Sequence, residues 1–208
     1  MKKLVLCALV LLGMASLCKG DTIMIDNYES YANTLALRAA YPSTANVTLT
    51  LSTTEYHSGG KSMFYEYDNG KDPWFAKAEH QVAFTPEQAD WTGTTELSIW
   101  YKCTVKQEPL QLVLVDAWGI NVFVGLIGTP AEGDWTQAVI DLTGPDKNGK
   151  YLTAAELQRI GRVDIVFTAK NYGAGKVYFD DLARTVVPEP AAMVLLGLGS
   201  LGLLRKRK

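Results

Sequence analysis

The sequence predicts an all-β domain, an antiparallel β-sandwich with one short helix, enclosed by an N-terminal signal helix and a C-terminal hydrophobic helix. Three observations predict it. Between Asp21 and Thr185, about ten short runs alternate apolar and polar residues, the pattern of strands half buried against a core. Turn-forming clusters separate them, at Ser58-Gly59-Gly60, Asp68-Asn69-Gly70, Trp118-Gly119 and Tyr172-Gly173-Ala174-Gly175. Helical patterns do not alternate with the strands, as a parallel α/β sheet would require.

The chain opens with Met1-Lys2-Lys3, a cationic start, followed by an apolar run from Leu4 to Leu17. Cys18-Lys19-Gly20 then places small residues at the −3 and −1 positions of a cut before Asp21, so residues 1–20 read as a secretory signal. A lipoprotein signal through Cys18 is the alternative, but Leu17 is larger than the residue that usually precedes such a cysteine. Residues 21–185 form the predicted domain. Its candidate strands are Thr22–Asp26, Val47–Ser52, Ser62–Tyr67, Ala78–Phe84, Glu96–Lys102, Leu110–Asp116, Ile120–Leu126, Thr136–Asp141, Arg162–Ala169 and Val177–Leu182. Leu97, Ile99 and Tyr101 share one face, as do Leu110, Leu112 and Leu114, and Val163, Ile165 and Phe167. The helix follows Thr153, whose hydroxyl can cap it; Glu156 completes a capping box and the segment ends near Gly161.

Composition narrows the function. A formal net charge of −2 and the absence of basic clusters outside the two ends give no field to neutralise phosphates, so nucleic acid is excluded as a partner. Loss of the signal removes Cys7 and Cys18 and leaves Cys103 as the single thiol, so the fold must rest on its core rather than on an internal disulfide. Two motif-like strings carry no chemistry. Gly197-Leu198-Gly199-Ser200-Leu201-Gly202 lies in an apolar run with no preceding strand or ribose-binding acid, and Gly144 to Lys150 lacks the Ser or Thr of a phosphate loop, Tyr151 standing there instead.

The last segment, 186–208, holds Pro188, Glu189 and Pro190, an apolar run from Ala191 to Leu204, and Arg205-Lys206-Arg207-Lys208. Two prolines hold the approach extended and open to a processing enzyme. The apolar run falls short of the ~20 residues of a spanning helix, so it reads as a transient membrane stop with its cations on the cytoplasmic side. These three parts, in this order, resemble the PEP-CTERM signal of Gram-negative bacteria. The resemblance implies an exosortase as processing partner, export across the inner membrane, and a final place at the cell surface or in the extracellular matrix. A plain C-terminal anchor that is never cut is the alternative.

Within the domain, Ile25-Asp26-Asn27-Tyr28-Glu29-Ser30-Tyr31, His57-Ser58-Gly59-Gly60-Lys61-Ser62-Met63, Asp134-Trp135-Thr136, Ile140-Asp141-Leu142, Leu157 to Val166, and Val177-Tyr178-Phe179-Asp180-Asp181-Leu182 occur in the order found in one family. They resemble the jelly-roll carbohydrate-binding modules of the galactose-binding-like superfamily. The resemblance implies a structural calcium ion, Ca2+, held by the carboxylates of Glu29 and Asp180 and the backbone carbonyl of Lys61, with Asp26 as a further candidate. The alternative is that the strand-end carboxylates are merely solvated. It also implies polysaccharide as the ligand, held where aromatic rings cover the apolar face of a sugar and polar groups bond its hydroxyls. Trp74 in the Gly-Lys-Asp-Pro loop, Trp118 at a turn and Tyr172 in a glycine-rich loop are the candidate ligand-binding residues, with Tyr65, Tyr67 and Trp100 next, and Trp91 and Trp135 assigned to the core or its edges.

Catalysis finds little support. His57 and His80 are the only histidines, one in a turn and one in an alternating strand, and Cys103 lies at a strand end with no partner signature. The expectation is therefore a non-catalytic polysaccharide-binding protein, not an enzyme. A structural surface protein without a sugar site and a small polysaccharide-degrading enzyme are the alternatives.

Overall fold

The computed structural model describes residues 20–70, 75–105, 107–168 and 173–187. The elements in chain order are β1 (Asp21–Asp26), α1 (Thr34–Ala40), β2 (Val47–Ser52), β3 (Ser62–Asp68), β4 (Phe75–Glu79), α2 (Pro86–Ala89), β5 (Thr94–Cys103), β6 (Leu110–Asp116), β7 (Asn121–Gly128), β8 (Thr136–Asp141), α3 (Ala154–Leu157), β9 (Ile160–Thr168) and β10 (Ala174–Val186). They form two antiparallel sheets. The larger has the order β2-β3-β10-β5-β8, with β1 also on β10, and the smaller the order β4-β9-β6-β7. This is the two-layer antiparallel sandwich that the alternation predicts.

Period 2 decides what lies between the layers. Met63, Tyr65 and Tyr67 of β3, Ile99 of β5 and Val177 and Phe179 of β10 face Leu110, Leu112 and Leu114 of β6 and Val163, Ile165 and Phe167 of β9 in one buried cluster. Tyr67 and Phe167 stack across it with centroids 4.4 Å apart. Each such large side chain contributes about 1.5–3 kcal/mol through burial, which replaces the stabilisation a disulfide would give. At one flank the layers close so tightly that a Cβ on Gly125 would lie 2.5 Å from the Ile140 side chain, and only glycine fits there.

One long strand organises the larger sheet. The first half of β10 pairs with β3, from Ala174↔Asp68 to Phe179↔Met63, and its last residues pair with β1, from Leu182↔Asp26 to Val186↔Asp21. The change of partner falls at Asp180 and Asp181, where the register with β5 slips and Asp181 takes a left-handed φ of 46°. Residues 57–61 fill the gap left between β1 and β3, with their amides bonded to carboxylates on either side.

Three expectations are corrected. The strand expected at Ala78–Phe84 runs at Phe75–Glu79 instead: the His80 amide still reaches the Val163 carbonyl at 3.0 Å, but the Gln81 amide turns to the Ala40 carbonyl at 2.8 Å, and the His80 ring packs inward, 3.5 Å from Asp26 and stacked on Phe84. The single expected helix, α3, is joined by two more: α1, capped by Asn33, and α2, which has a Thr85/Gln88 capping box. Tyr65 and Tyr67 belong to the core and not to a binding face, both being at most 1% exposed. The signal segment and the C-terminal apolar segment lie outside the described residues. Among the described residues no helix is long and apolar enough to cross a membrane.

Candidate functional site

The outward face of the smaller sheet carries a groove of about 270 Å³. Alternation brings its lining together: Phe75 and Lys77 from β4, Asp164, Val166 and Thr168 from β9, Gln111 and Val113 from β6, Asn121 and Val124 from β7, and Lys147 from the loop after β8. Val113, Val115 and Val166, with Val124 against them, make a small second apolar cluster, of which Val113, Val166 and Val124 form the floor. Polar groups form the rim. Gln111 donates to the Thr168 hydroxyl at 3.0 Å and accepts from Lys147 Nζ at 3.0 Å. Arg162 donates to Asp164 at 2.8 Å and lies 3.4 Å from Glu79; Lys77 pairs with Glu79 and stands 3.9 Å from Asp164. Burial raises the Asp164 carboxyl above its ordinary range, against the pull of Arg162. An apolar floor within a hydrogen-bonding rim suits a sugar ring, which has an apolar face and a polar edge.

Of the three residues expected to bind ligand, Trp118 is described. It stands at the β6–β7 turn, 71% exposed. Asp116 Oδ1 accepts from the backbone N–H of Trp118 at 3.0 Å and of Ile120 at 2.9 Å, which fixes the turn. The Arg159 guanidinium lies 4.5 Å from the indole centroid, covering one face and leaving the other to solvent. Trp74 and Tyr172 lie outside the described residues. Their neighbours in the chain are informative, since Phe75, next to Trp74, pairs with Thr168, four residues before Tyr172, and both line the groove. Trp100 lies on the opposite sheet, half-buried beneath the His57 ring, which stacks on it at 3.7 Å, with Trp135 edge-on to His57 at 5.9 Å. Trp91 is fully buried.

The three residues expected around calcium meet at the 57–61 turn. Glu29 Oε1 accepts from the amides of Gly60 and Lys61 at 2.7 and 2.8 Å, and Asp180 Oδ2 from those of His57 and Ser58 at 2.8 and 3.1 Å. Lys61 Nζ donates to the carbonyls of Glu29 and Tyr31, each at 2.9 Å. Glu29 Oε2 has no hydrogen bond among the described residues. Asp180 is buried and its carboxyl is pushed up to about 6 by desolvation, with the neighbouring Asp181 charge adding to the rise against the pull of the amides. Carboxylates and carbonyls are the hard oxygen donors that calcium takes, and here both carboxylates also accept backbone amides. Among the described residues no three His, Cys, Asp or Glu side chains converge on one point. Asp26 is engaged elsewhere: Oδ2 accepts from the hydroxyls of Tyr31 and Tyr41 at 2.5 and 3.1 Å, and Oδ1 from the Tyr28 amide at 2.7 Å.

The 57–61 turn also contains serine-hydrolase residue types, wired differently. Ser58 Oγ and His57 Nδ1 each reach Asp181, both at 2.9 Å, so the hydroxyl bonds the carboxylate and not the imidazole that would have to take its proton. Cys103 is buried and burial pushes its thiol up to about 12, away from nucleophilic use.

Comparison with known proteins divides the chain in two. Residues 186–208 match the PEP-CTERM protein-sorting motif. The body ahead of this tail resembles solved carbohydrate-binding modules. The family 11 module from Clostridium thermocellum, solved with a β-1,3-1,4-mixed-linked tetrasaccharide, aligns over 81% of this chain and 97% of its own, at 17% identity and a TM-score of 0.56. The CBM22-1 xylan-binding domain of Paenibacillus barcinonensis Xyn10C aligns over 82% and 97%, at 9% identity and a TM-score of 0.50. An arabinose-bound α-L-arabinofuranosidase also matches, over 81% of this chain but only 27% of its own, at 15% identity and a TM-score of 0.56. Such identities show the fold alone. Among curated proteins none matches.

Sequence reasoning missed the groove floor. Val113 and Val115 were visible as apolar residues alternating with Leu112 and Leu114, and a strand apolar on both faces signals a covered outer face. It missed Lys147 as well, because Gly144 to Lys150 was weighed only as a phosphate loop.

Proposed function

We propose that the sandwich binds polysaccharide non-catalytically along the groove of its smaller sheet, on a protein that an exosortase processes at the PEP-CTERM tail and that is destined for the surface or matrix of a Gram-negative cell. The observation that carries the reading is the valine floor edged by Gln111, Thr168, Asp164 and Lys77, with the exposed Trp118 platform beyond it. Affinity electrophoresis against a glycan panel tests it: retention that falls on substitution of Phe75 or Val113 supports the groove, and unretarded migration on every glycan overturns it. Phe75 is the one aromatic among the described lining residues, and this favours a second reading, a structural surface protein without a sugar site. Uniform lack of retention is the result that reading expects.

The same proposal places calcium at Glu29, Asp180 and the Lys61 carbonyl. What supports it is the meeting of two carboxylates at one turn beside the switch in β10. A bound ion would hold β1, β3 and β10 together there, steadying the sheet that backs the groove.

A further inference from the structure

We infer that the groove selects acidic glycans, sugars bearing ring carboxylates, through an ammonium that the loop after β8 lays across its rim; the inference rests on the polysaccharide reading and narrows it. Gly144 to Lys150, the phosphate-loop look-alike, is the segment that delivers this charge. Asp146 builds the loop: Oδ1 accepts from the amides of Asn148 and Lys150 at 2.8 and 2.9 Å, and Oδ2 from the Val124 amide at 3.3 Å. The Lys147 amide returns a bond to the Val124 carbonyl at 3.1 Å, so the loop is fastened to the edge strand β7. Lys147, exposed and free to reach for water, instead places Nζ 3.0 Å from Gln111 Oε1 in the groove.

Charges around the groove leave this one over. Lys77, Arg162, Glu79 and Asp164 form a network of two cations and two anions. Lys150 pairs with Glu156 at 2.6 Å, and Asp146 turns both oxygens to amides. Lys147 has no carboxylate partner among the described residues, and its one protein bond leaves two ammonium protons to give.

The hydrogen-bond order sharpens the point. An ammonium only donates, so Gln111 must present its carbonyl to Lys147 and its amide nitrogen to Thr168. The Thr168 hydroxyl, which accepts from Gln111, has its proton left to donate. Two donors therefore edge the valine floor, and a carboxylate, which only accepts, is the sugar substituent they match.

Affinity electrophoresis of the protein through polygalacturonate and alginate, beside xylan and mixed-linkage glucan, tests this. The expected result is retention on an acidic glycan that weakens with added salt. Lys147→Ala should weaken that retention about tenfold, the usual worth of one bond to a charged partner. Lys147→Arg should keep it. Lys176→Ala, which removes an exposed charge from the other sheet, should leave it unchanged. Retention on neutral glycans at least as strong, with no effect of Lys147→Ala, overturns the charge selection and leaves the polysaccharide reading standing. Equal losses from Lys147→Ala and Lys176→Ala overturn it too, and absence of retention on every glycan overturns both.

Discussion

Replacing Trp118 by alanine separates a ligand platform from a stray surface aromatic, and the structure sets the size of the effect. A tryptophan side chain offers roughly 150–250 Å² for burial, and this one is 71% exposed. Arg159 already covers one face at 4.5 Å. A sugar can therefore cover about half of what is open, roughly 70 Å². At about 25 cal/mol per Å² that is about 1.8 kcal/mol, or about 20-fold in Kd, an upper bound because ordering the ligand offsets part of it. The cost to the fold is the Arg159 contact, about 0.5–1 kcal/mol at an exposed site. Calorimetric titration with a retained glycan should thus show a five- to twentyfold loss while the thermal midpoint moves by only a few degrees. Unchanged affinity in a folded Trp118→Ala protein would remove Trp118 from the binding surface.

Three further outcomes are expected. Chelation with EDTA should lower the thermal midpoint and added calcium should restore it, with both effects absent in Glu29→Gln; an identical melt with and without chelator contradicts the calcium assignment. Cys103 should resist a thiol reagent at pH 8 until the protein unfolds, because burial holds the thiol at about 12; labelling at the rate of a free thiol would show that the β5 end opens. Glu156 is held down to about 2, chiefly by Lys150 and then by the Thr153 amide and hydroxyl, so its contribution is present above its ordinary 4.5 and lost as pH falls towards 2. The stability gap between the wild type and Glu156→Gln, which keeps the capping bonds and loses the charge, is about 0.5 kcal/mol for a solvent-screened pair and should close across that window; a gap independent of pH would show that the charge is irrelevant.

The fold was legible wherever one face of a strand meets the core. Val47–Ser52, Leu110–Asp116 and Thr136–Asp141 form strands with the bounds that alternation predicts. Legibility failed where local apolar content served another purpose. Val82 and Phe84 alternate like a strand, yet Phe84 packs on His80 and Trp91 beneath a coil. α1 escaped notice because its cap, Asn33, lacks the second half of a capping box. The candidate site was harder still. Trp118 announces itself because an indole beside a turn glycine has no strand partner to hide it, but the groove is assembled from four strands and a loop. Lys147, Gln111 and Thr168 are distant in sequence, and only the pairing of β6 with β9 brings the last two together. An alternating pattern tells which face a residue takes and does not tell which residues on other strands share it.

The strand pairing also bears on how such a domain could be held. Asp21 and Val186, where the two terminal segments join the sandwich, are register partners in neighbouring antiparallel strands, so both segments leave from one end of the larger sheet. β10 runs from there for its 13 residues, up to roughly 40 Å, to Ala174, which pairs with Asp68 at the opposite end. A short connection takes the chain from Asp68 to Phe75, which opens β4 opposite Thr168. The Phe75–Thr168 rung, with Trp74 and Tyr172 close by in the chain, thus belongs to the end remote from Val186. A tether at the C-terminal side would leave that part of the groove facing outward. The arrangement follows from antiparallel order: β10 begins at Ala174, six residues after the Thr168 that edges the groove, spans the larger sheet and finishes at Val186, at the opposite end.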